Sequence, residues 1–244
     1  MQDSTAVNRA FSGQSAHYDE DDKANRVIAD LRQQVYRHVA HFMKPNSHVL
    51  ELNAGTGIDA SYFVSQGHSV LATDLSDGMI NELKKKGLPA KQLSYEDIHL
   101  IDERFDYVFS NFGGLNCIDD LSKVTKHLPR LLKPHGYVTW VIMPPVCPWE
   151  IMSLTFRRFK KGGVIAHVDG VYFKTWYHSF HEIRRAFGNE FELIKHEGLA
   201  ALSPPPHKTG FFAYNLSRRV DNVFNRTFPF NRWADHIIVT FRLK

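Results

Sequence analysis

Cysteine is nearly absent from the chain: Cys117 and Cys147 are the only two in 244 residues, and their spacing matches no zinc-binding pattern. A disulfide framework is therefore excluded, and a reducing, cytoplasmic setting is expected. No stretch is apolar for long enough to cross a bilayer. Val138 to Met143 comes nearest and is far too short. The opening MQDSTAVNRAFSGQ lacks the apolar core of a signal peptide, so a soluble chain with no membrane span is expected. Charge of one sign is scarce as well. Lys and Arg number 30 against 26 Asp and Glu, and a net of +4 argues against a nucleic-acid partner unless the cations cluster. Two short clusters exist. Lys84-Lys85-Lys86 suits the solvated end of a helix, and Arg157-Arg158-Phe159-Lys160-Lys161 suits either a solvated face or the border of an anionic substrate. Internal repeats, low-complexity tracts and metal-ligand spacings are also missing, and no metal site is expected.

What is present is a globular composition, 43% apolar, sufficient for one domain with a sizeable core. Apolar residues at helical spacing from Asp22 to Met43 predict an amphipathic helix that Pro45-Asn46 ends. Ser47 to Leu52 reads as a buried strand, Ile58 to Gln66 as a helix closed by Gly67, and Ser69 to Asp74 as the next strand. The alternation continues with a helix from Asp77 to Lys86, strands at Lys91 to Ser94 and Phe105 to Asn111, a helix from Asp119 to Leu132, and a strand from Tyr137 to Met143 after a Lys133 to Gly136 turn. Such alternation predicts a doubly wound α/β sheet. The rhythm breaks at Pro144-Pro145, and residues 144–178 read as an aromatic-rich cap inserted after the fifth strand, with Trp149, Phe156, Phe159, Tyr172, Phe173, Trp176 and Tyr177. A helix from Phe180 to Phe187, a strand from Phe191 to His196, a Pro204 to Pro206 loop, a helix around Tyr214 to Asn225 and a strand from His236 to Leu243 follow. One domain is expected, divided into a helical lid (1–46), a cofactor-binding core (47–143), the cap (144–178), and a C-terminal part carrying the acceptor pocket (179–244).

Chemistry concentrates between Val49 and Asp74. In Val49-Leu-Glu-Leu-Asn-Ala-Gly-Thr-Gly57, small residues Ala54, Gly55 and Gly57 stand where a strand turns into a helix, so backbone N–H groups can approach a ligand. Asp74 ends the neighbouring strand, where a carboxylate can accept hydrogen bonds from both hydroxyls of a ribose. A dinucleotide site shares this layout. Its pyrophosphate, however, would meet Asp59 with Glu51 close behind, whereas a cationic cofactor would be welcomed by both.

Val49 to Gly57 resembles the first motif of class I S-adenosylmethionine-dependent methyltransferases, and the likeness extends over about Phe11 to Met143. The resemblance implies a Rossmann-like sheet of seven strands with the last antiparallel, and S-adenosylmethionine as cofactor. It implies that Glu51 sits near the methionine ammonium, that Gly55 and Gly57 line the cofactor, that Asp74 holds the ribose and that Leu75 packs on adenine. Ser94 to Asp97 occupies the place that faces the adenine edge, with Tyr95, Glu96 and Asp97 all open as the contact. Asn53 stands where the family has its first loop glycine, and Asn tolerates the left-handed backbone such a turn needs. Ser110-Asn-Phe-Gly-Gly114 replaces the D/N-P-P-Y/F sequence of enzymes that methylate planar amino groups. A small-molecule acceptor is implied instead, with Asn111 and Phe112 beside the transferred methyl. Phe11 to Asp19 resembles the N-terminal element of quinone and biotin-pathway methyltransferases, which makes Tyr18 a lid residue over the cofactor and Arg32 a partner for the methionine carboxylate.

An oxygen acceptor needs a base, and among 14 histidines the position of His178 at the end of the insertion recommends it, with His167 second. The aromatic inventory favours an apolar or aromatic acceptor. Other readings are a non-catalytic protein of the same fold, motivated by Asn53; an RNA methyltransferase, motivated by the pI near 9.0; and, remotely, a dehydrogenase.

Overall fold

Five strands pair in parallel, β1 (His48–Leu52), β2 (Ser69–Asp74), β3 (Ala90–Gln92), β4 (Phe105–Ser110) and β5 (Leu132–Ile142), of which the central β1, β2 and β4 are largely buried, as strands covered on both sides are, while β3 is a short exposed edge. The computed structural model describes residues 4–152, 158, 162–203 and 211–244. A hairpin, β6 (Val164–Val168) with β7 (Val171–Thr175), stands apart from the main sheet, which β8 (Phe191–Leu199) and β9 (His236–Leu243) complete. The order is β3-β2-β1-β4-β5-β9-β8. β9 runs antiparallel to both β5 and β8, so the last strand alone is reversed, as the sequence implied.

Helices cover both faces. On one side α3 (Arg26–Val39), α4 (Ile58–Ser65) and α5 (Asp77–Lys85) pack on Val49, Val70, Tyr107 and Val141. On the other, α6 (Ser122–Thr125), α7 (Leu128–Leu131) and α9 (Phe180–Phe187) pack on Leu50, Leu52, Val108 and Trp140. The side chains of β1 alternate between the two layers, which puts Glu51 on the α3 and α4 side with Val49. The remaining helices are α1 (Ser4–Gln14), α2 (Tyr18–Ala24), α8 (Pro148–Met152) and α10 (Phe211–Phe224).

Several expected boundaries move for identifiable reasons. The helix expected from Asp22 to Met43 is two helices, because Asn25 leaves the helical region and caps α3, accepting the N–H groups of Val27 and Ile28. The helix expected from Asp119 to Leu132 is split into α6 and α7, with Pro129 in the first turn of the second. Lys133 to Gly136, expected as a turn, lies within β5 as an irregularity in the ladder, with His135 at φ +61°. Residues 144–178 contain α8 and the β6–β7 hairpin, whose two central turn residues, Asp169 and Gly170, are both left-handed (φ +47° and +77°). The Pro204 to Pro206 loop, Phe156, Phe159 and the cations Arg157, Lys160 and Lys161 lie outside the described residues. Arg158 is described, and it corrects the solvated-face expectation: it is buried, bonding Glu150 and Asp235 through its side chain.

α1 closes over the carboxyl ends of the parallel strands. Its Ala6, Val7 and Ala10 pack with Phe173 of β7 and with Cys117, while Phe11 meets the Phe173 ring at 5.5 Å between centroids. Its polar side docks on the start of α5: Asn8 exchanges hydrogen bonds with Asp77, and the Gly78 N–H donates to Ser12 Oγ at 3.0 Å. The approach depends on Gly78, since a Cβ there would lie 2.6 Å from the Ser12 carbonyl oxygen. Gly78→Ala is therefore expected to push α1 off α5. Hydrogen exchange should accelerate across Ala6 to Gly13 while β1 and β4 keep their protection; unchanged protection of α1 would contradict this docking.

Candidate functional site

The turn from β1 into α4 uses left-handed backbone three times, at Asn53 (φ +48°), Gly55 (φ +56°) and Gly57 (φ +86°). Its path is pinned by Ala54 N–H donating to the Thr73 carbonyl at 2.9 Å and by Gly55 N–H donating to Asp74 Oδ2 at 2.9 Å. The other oxygen of Asp74 accepts the Ser76 N–H, also at 2.9 Å. A Cβ on Gly55 would meet nothing within 4 Å, so its bare face opens onto free space. Asn53 fills its left-handed position and also uses its side chain: Nδ2 donates to the Asn111 carbonyl at 3.0 Å and Oδ1 accepts from Ser110. It thereby ties the glycine turn to the loop after β4.

That free space is a cavity of about 600 Å³ at the carboxyl ends of β1, β2 and β4, within the usual range for small-ligand sites. It brings together most of the residues singled out from the sequence: Tyr18, Arg32, Asn53, Ala54, Gly55, Asp74, Leu75, Asn111 and Phe112, with Tyr95, Glu96 and Asp97 all on its wall. Three are placed elsewhere. Glu51 is buried behind the wall. Gly57 faces α5, where a Cβ would lie 2.5 Å from Leu83, so its smallness serves packing instead of a ligand. His178 is the third: it is buried against a separate polar cleft with Asp119, Asp120 and Glu182, its Nε2 2.9 Å from the Ile118 carbonyl. This corrects the expectation of His178 as a base at the reacting centre. His167 is also misplaced, because it points outward from β6 to stack on Tyr172 at 4.5 Å while its neighbours Ala166 and Val168 face the cavity.

One end of the cavity is polar and acidic. Asp59, in the first turn of α4, accepts from Arg32 Nη1 and the Tyr36 hydroxyl, both at 2.6 Å, and from Asn111 Nδ2 at 3.0 Å. Arg32 also pairs with Asp22 of α2 at 2.6 Å, and its guanidinium lies 4.9 Å from the Phe112 ring centre. Both terminal nitrogens of Arg32 are thus committed to carboxylates of this chain, while its buried Nε has no partner. Asp19 of α2 accepts from Thr56 and from Lys86 Nζ at 2.6 Å, so the third lysine of the Lys84 to Lys86 run clamps α2 to the turn. Burial, together with the nearby Asp59 charge, raises the Glu51 carboxyl well above its ordinary pKa, and Arg32 offsets this only in part. Burial likewise raises Asp74 against the pull of the Ser76 and Gly55 N–H groups.

The other end is apolar, and of its residues the sequence singles out Phe173 of the cap but not the aliphatic ones. Val7 and Phe11 of α1, Met143, and Ala166, Val168 and Phe173 of the hairpin form it. The available signal was Asp169-Gly170 between two alternating runs, which announces a hairpin with one inward face. Cys117 lies on the wall as a buried free thiol, pushed up to about 12 by burial and by the Asp74 charge. Among the described lining residues there is no histidine.

Residues 50–140 match the family model described as a methyltransferase domain. A malonyl-[acyl-carrier protein] O-methyltransferase of Enterobacter lignolyticus is 29% identical over 145 residues, 58% of this chain and 55% of that protein. A demethylmenaquinone methyltransferase of Streptomyces griseus is 32% identical over 133 residues, 52% of this chain and 56% of that protein. The chain therefore spans about half the length of these curated relatives. In three dimensions it resembles the Burkholderia thailandensis 1,6-didemethyltoxoflavin-N1-methyltransferase, solved with its substrate and S-adenosylhomocysteine, with a TM-score of 0.58 at 17% identity over 98% of this chain and 88% of the other. The match to the methyltransferase-domain model is confined to residues 50–140, and the likeness to the solved structure is one of fold.

Proposed function

We propose that the cavity binds S-adenosylmethionine and that the protein transfers the methyl group to a small apolar or aromatic molecule. The observation that carries this reading is the two-ended cavity, acidic beside the glycine turn and apolar beneath α1 and the hairpin. The residues fit a cationic cofactor. Asp59 and Asp74 line the acidic end with Arg32 as the one cation among the described lining residues, and Glu51, buried behind them, keeps an oxygen without a partner. When bound, S-adenosylmethionine supplies an activated methyl on a sulfonium. In this assignment Asp74, already oriented by two backbone N–H groups, accepts the ribose hydroxyls. Leu75 and the Ser94 to Asp97 segment border the adenine, Tyr18 covers the site from α2, and Asn111 and Phe112 stand beside the methyl. Arg32 acts as a positioning residue, since its guanidinium is spent on Asp22 and Asp59. Residues 144–178 serve as the cap, with the hairpin as the part that meets the acceptor.

The wall also bears on the acceptor's chemistry. Burial pushes the Tyr18 and Tyr95 hydroxyls and the Cys117 thiol upward, so none of them is poised to take a proton near neutrality. An acceptor that brings its own anionic or readily ionised nucleophile suits this site, such as an acidic phenol, an enol or a carboxylate. The curated relatives' names point the same way, to a malonyl-[acyl-carrier protein] O-methyltransferase and a demethylmenaquinone methyltransferase. Catalysis then rests on alignment and exclusion of water, which α1 and the hairpin provide. A cytoplasmic setting accords with two unpaired thiols.

Calorimetry with S-adenosylmethionine or S-adenosylhomocysteine tests the first half of the proposal, and Asp74→Asn should weaken binding by about tenfold or more through loss of a charge-assisted acceptor. Binding has a pH signature as well. Glu51 and Asp74 have raised pKa values in the free protein, and a bound cation favours their ionised forms, so binding releases protons and tightens as pH rises through those values. Titrations in two buffers of different ionisation enthalpy should report proton release; proton uptake would contradict the placement of the cation.

Asn53 separates a working loop from a decayed one. Asn53→Gly removes two side-chain hydrogen bonds, about 2 kcal/mol, and relieves left-handed strain of about 1 kcal/mol, so a net stability loss of about 1 kcal/mol is expected. Asn53→Ala loses the bonds and keeps the strain, and should cost about 2 kcal/mol or more in urea unfolding. A glycine variant that is more stable and binds cofactor far more tightly would instead mark a decayed site.

A further inference from the structure

Helix α10 is amphipathic in the reverse sense. Among its described side chains the inward ones are held by polar contacts: the Tyr214 ring packs in the core while its hydroxyl donates to Asp30 at 2.8 Å, and Arg218 pairs with the same carboxylate. One turn on, Asp221 accepts the N–H groups of Leu202 and Ser203, and Asn225 holds Gly198 through its carbonyl and Ala201 through its side chain. Its outward side is apolar, with Val220, Val223 and Phe224 spaced to share a face and 43%, 65% and 38% exposed. The following loop exposes two more large side chains, Phe228 (72%) and Trp233 (41%), whose ring centres lie 6.5 Å apart. A helix on a water-facing surface normally carries the opposite pattern.

Charge accompanies the ridge. Arg219 and Arg226 are exposed along it, and the Arg232 guanidinium lies 5.6 Å from the Phe228 ring centre. The one carboxylate in the sequence from 211 to 234 is Asp221, which is buried. Beside the ridge, between α3, β8 and α10, a cleft of about 160 Å³ is lined by Arg37, Lys195 and Arg226; its one acid, Glu197, pairs with Lys195 at 3.4 Å and with Arg226 at 3.2 Å, so the cleft keeps a net positive charge with Arg37 beside that pairing. Exposed aliphatic and aromatic side chains bordered by arginines match the interface of a membrane bearing anionic lipid. They do not match nucleic acid, for which Val220 and Val223 would offer neither charge nor stacking. The position fits a role in supply: Trp233 lies three residues before His236, whose ring meets Phe112 of the cavity wall at 5.7 Å.

We infer that the outward face of α10 and the loop to Trp233 seat the protein on the surface of an anionic phospholipid bilayer, with headgroup phosphates meeting Arg219 and Arg37. That an apolar acceptor is collected there rests on the methyltransferase reading; the docking itself does not. Flotation of the full chain with vesicles of phosphatidylglycerol and phosphatidylcholine in equal parts, against phosphatidylcholine alone, is the test. The protein should float with the anionic vesicles, weakly with the neutral ones, and less as salt rises. Phe228→Ser with Trp233→Ser should cut the bound fraction's partition coefficient by about tenfold or more, and Val223→Ser, a milder change, should act in the same direction. Arg219→Gln should cost about fivefold, the equivalent of about 1 kcal/mol. S-adenosylhomocysteine affinity, measured in the same samples, should be unchanged in every variant, so a failed methyltransferase reading shows separately. No flotation of the wild type overturns the inference and leaves an acidic protein as the occupant, and flotation undiminished by the ridge substitutions overturns it equally.

Discussion

A single buried carboxylate, Asp59, holds the cavity together. It stands in the first turn of α4 and receives hydrogen bonds from Arg32 and Tyr36 of α3 and from Asn111 at the end of β4. Arg32 carries the connection on to Asp22 of α2, and α2 is in turn fixed to the glycine turn through Asp19, Thr56 and Lys86. A buried ion pair of this kind contributes little net stability, since desolvating two charges nearly cancels their attraction, but losing one partner is costly because the other is stranded. Its effect is therefore geometric. The N-terminal helices can be assembled only in the arrangement that satisfies Asp59, and that arrangement is the one that walls the cavity.

The same constraint fixes the polarity of the site. Burial raises both Glu51 and Asp74, and for Glu51 the Asp59 charge beside it adds to the effect. Such a site gains by taking up positive charge and would lose by accepting a pyrophosphate. Across the cavity, α1 and the hairpin contribute only apolar side chains and Thr175, Ser4 and backbone, so the two ends select different parts of a bound pair. Specificity for the acceptor then lies in the apolar wall, and the chemistry depends on how closely that wall excludes water.

The parts of this arrangement legible in the sequence are those set by local rules. Strand, turn and helix from Val49 to Asp74 follow from apolar runs punctuated by glycine, and Asn53 follows from its tolerance of left-handed backbone, here φ +48°. Features decided by side-chain direction were not legible. Glu51 alternates onto the α3 face of β1 and so lies behind the wall, Gly57 is small for the sake of Leu83, and His178 turns to the Ile118 carbonyl. His167 and Ala166 differ by one residue in β6, yet one is outside and the other inside, because a strand reverses side at every step. Pro129 and Asn25 each divide a helix that periodicity alone made continuous.

Periodicity has the same blind spot in α10. The pattern of Val220, Val223 and Phe224 announces a helix correctly, and the usual rule then turns that face toward the core. Here the inward positions are taken by Tyr214, Arg218, Asp221 and Asn225, each bonded to Asp30 or to the chain after β8. Hydrogen bonds to buried backbone groups hold this helix as firmly as apolar packing would, since each group left unmade would cost its desolvation. The apolar face is thereby released from the work of folding. Exposing it to water brings no stability, and although Arg226 is paired with Glu197, Arg219 stands exposed beside it, so the apolar surface and part of the charge are left to be satisfied by something outside the chain.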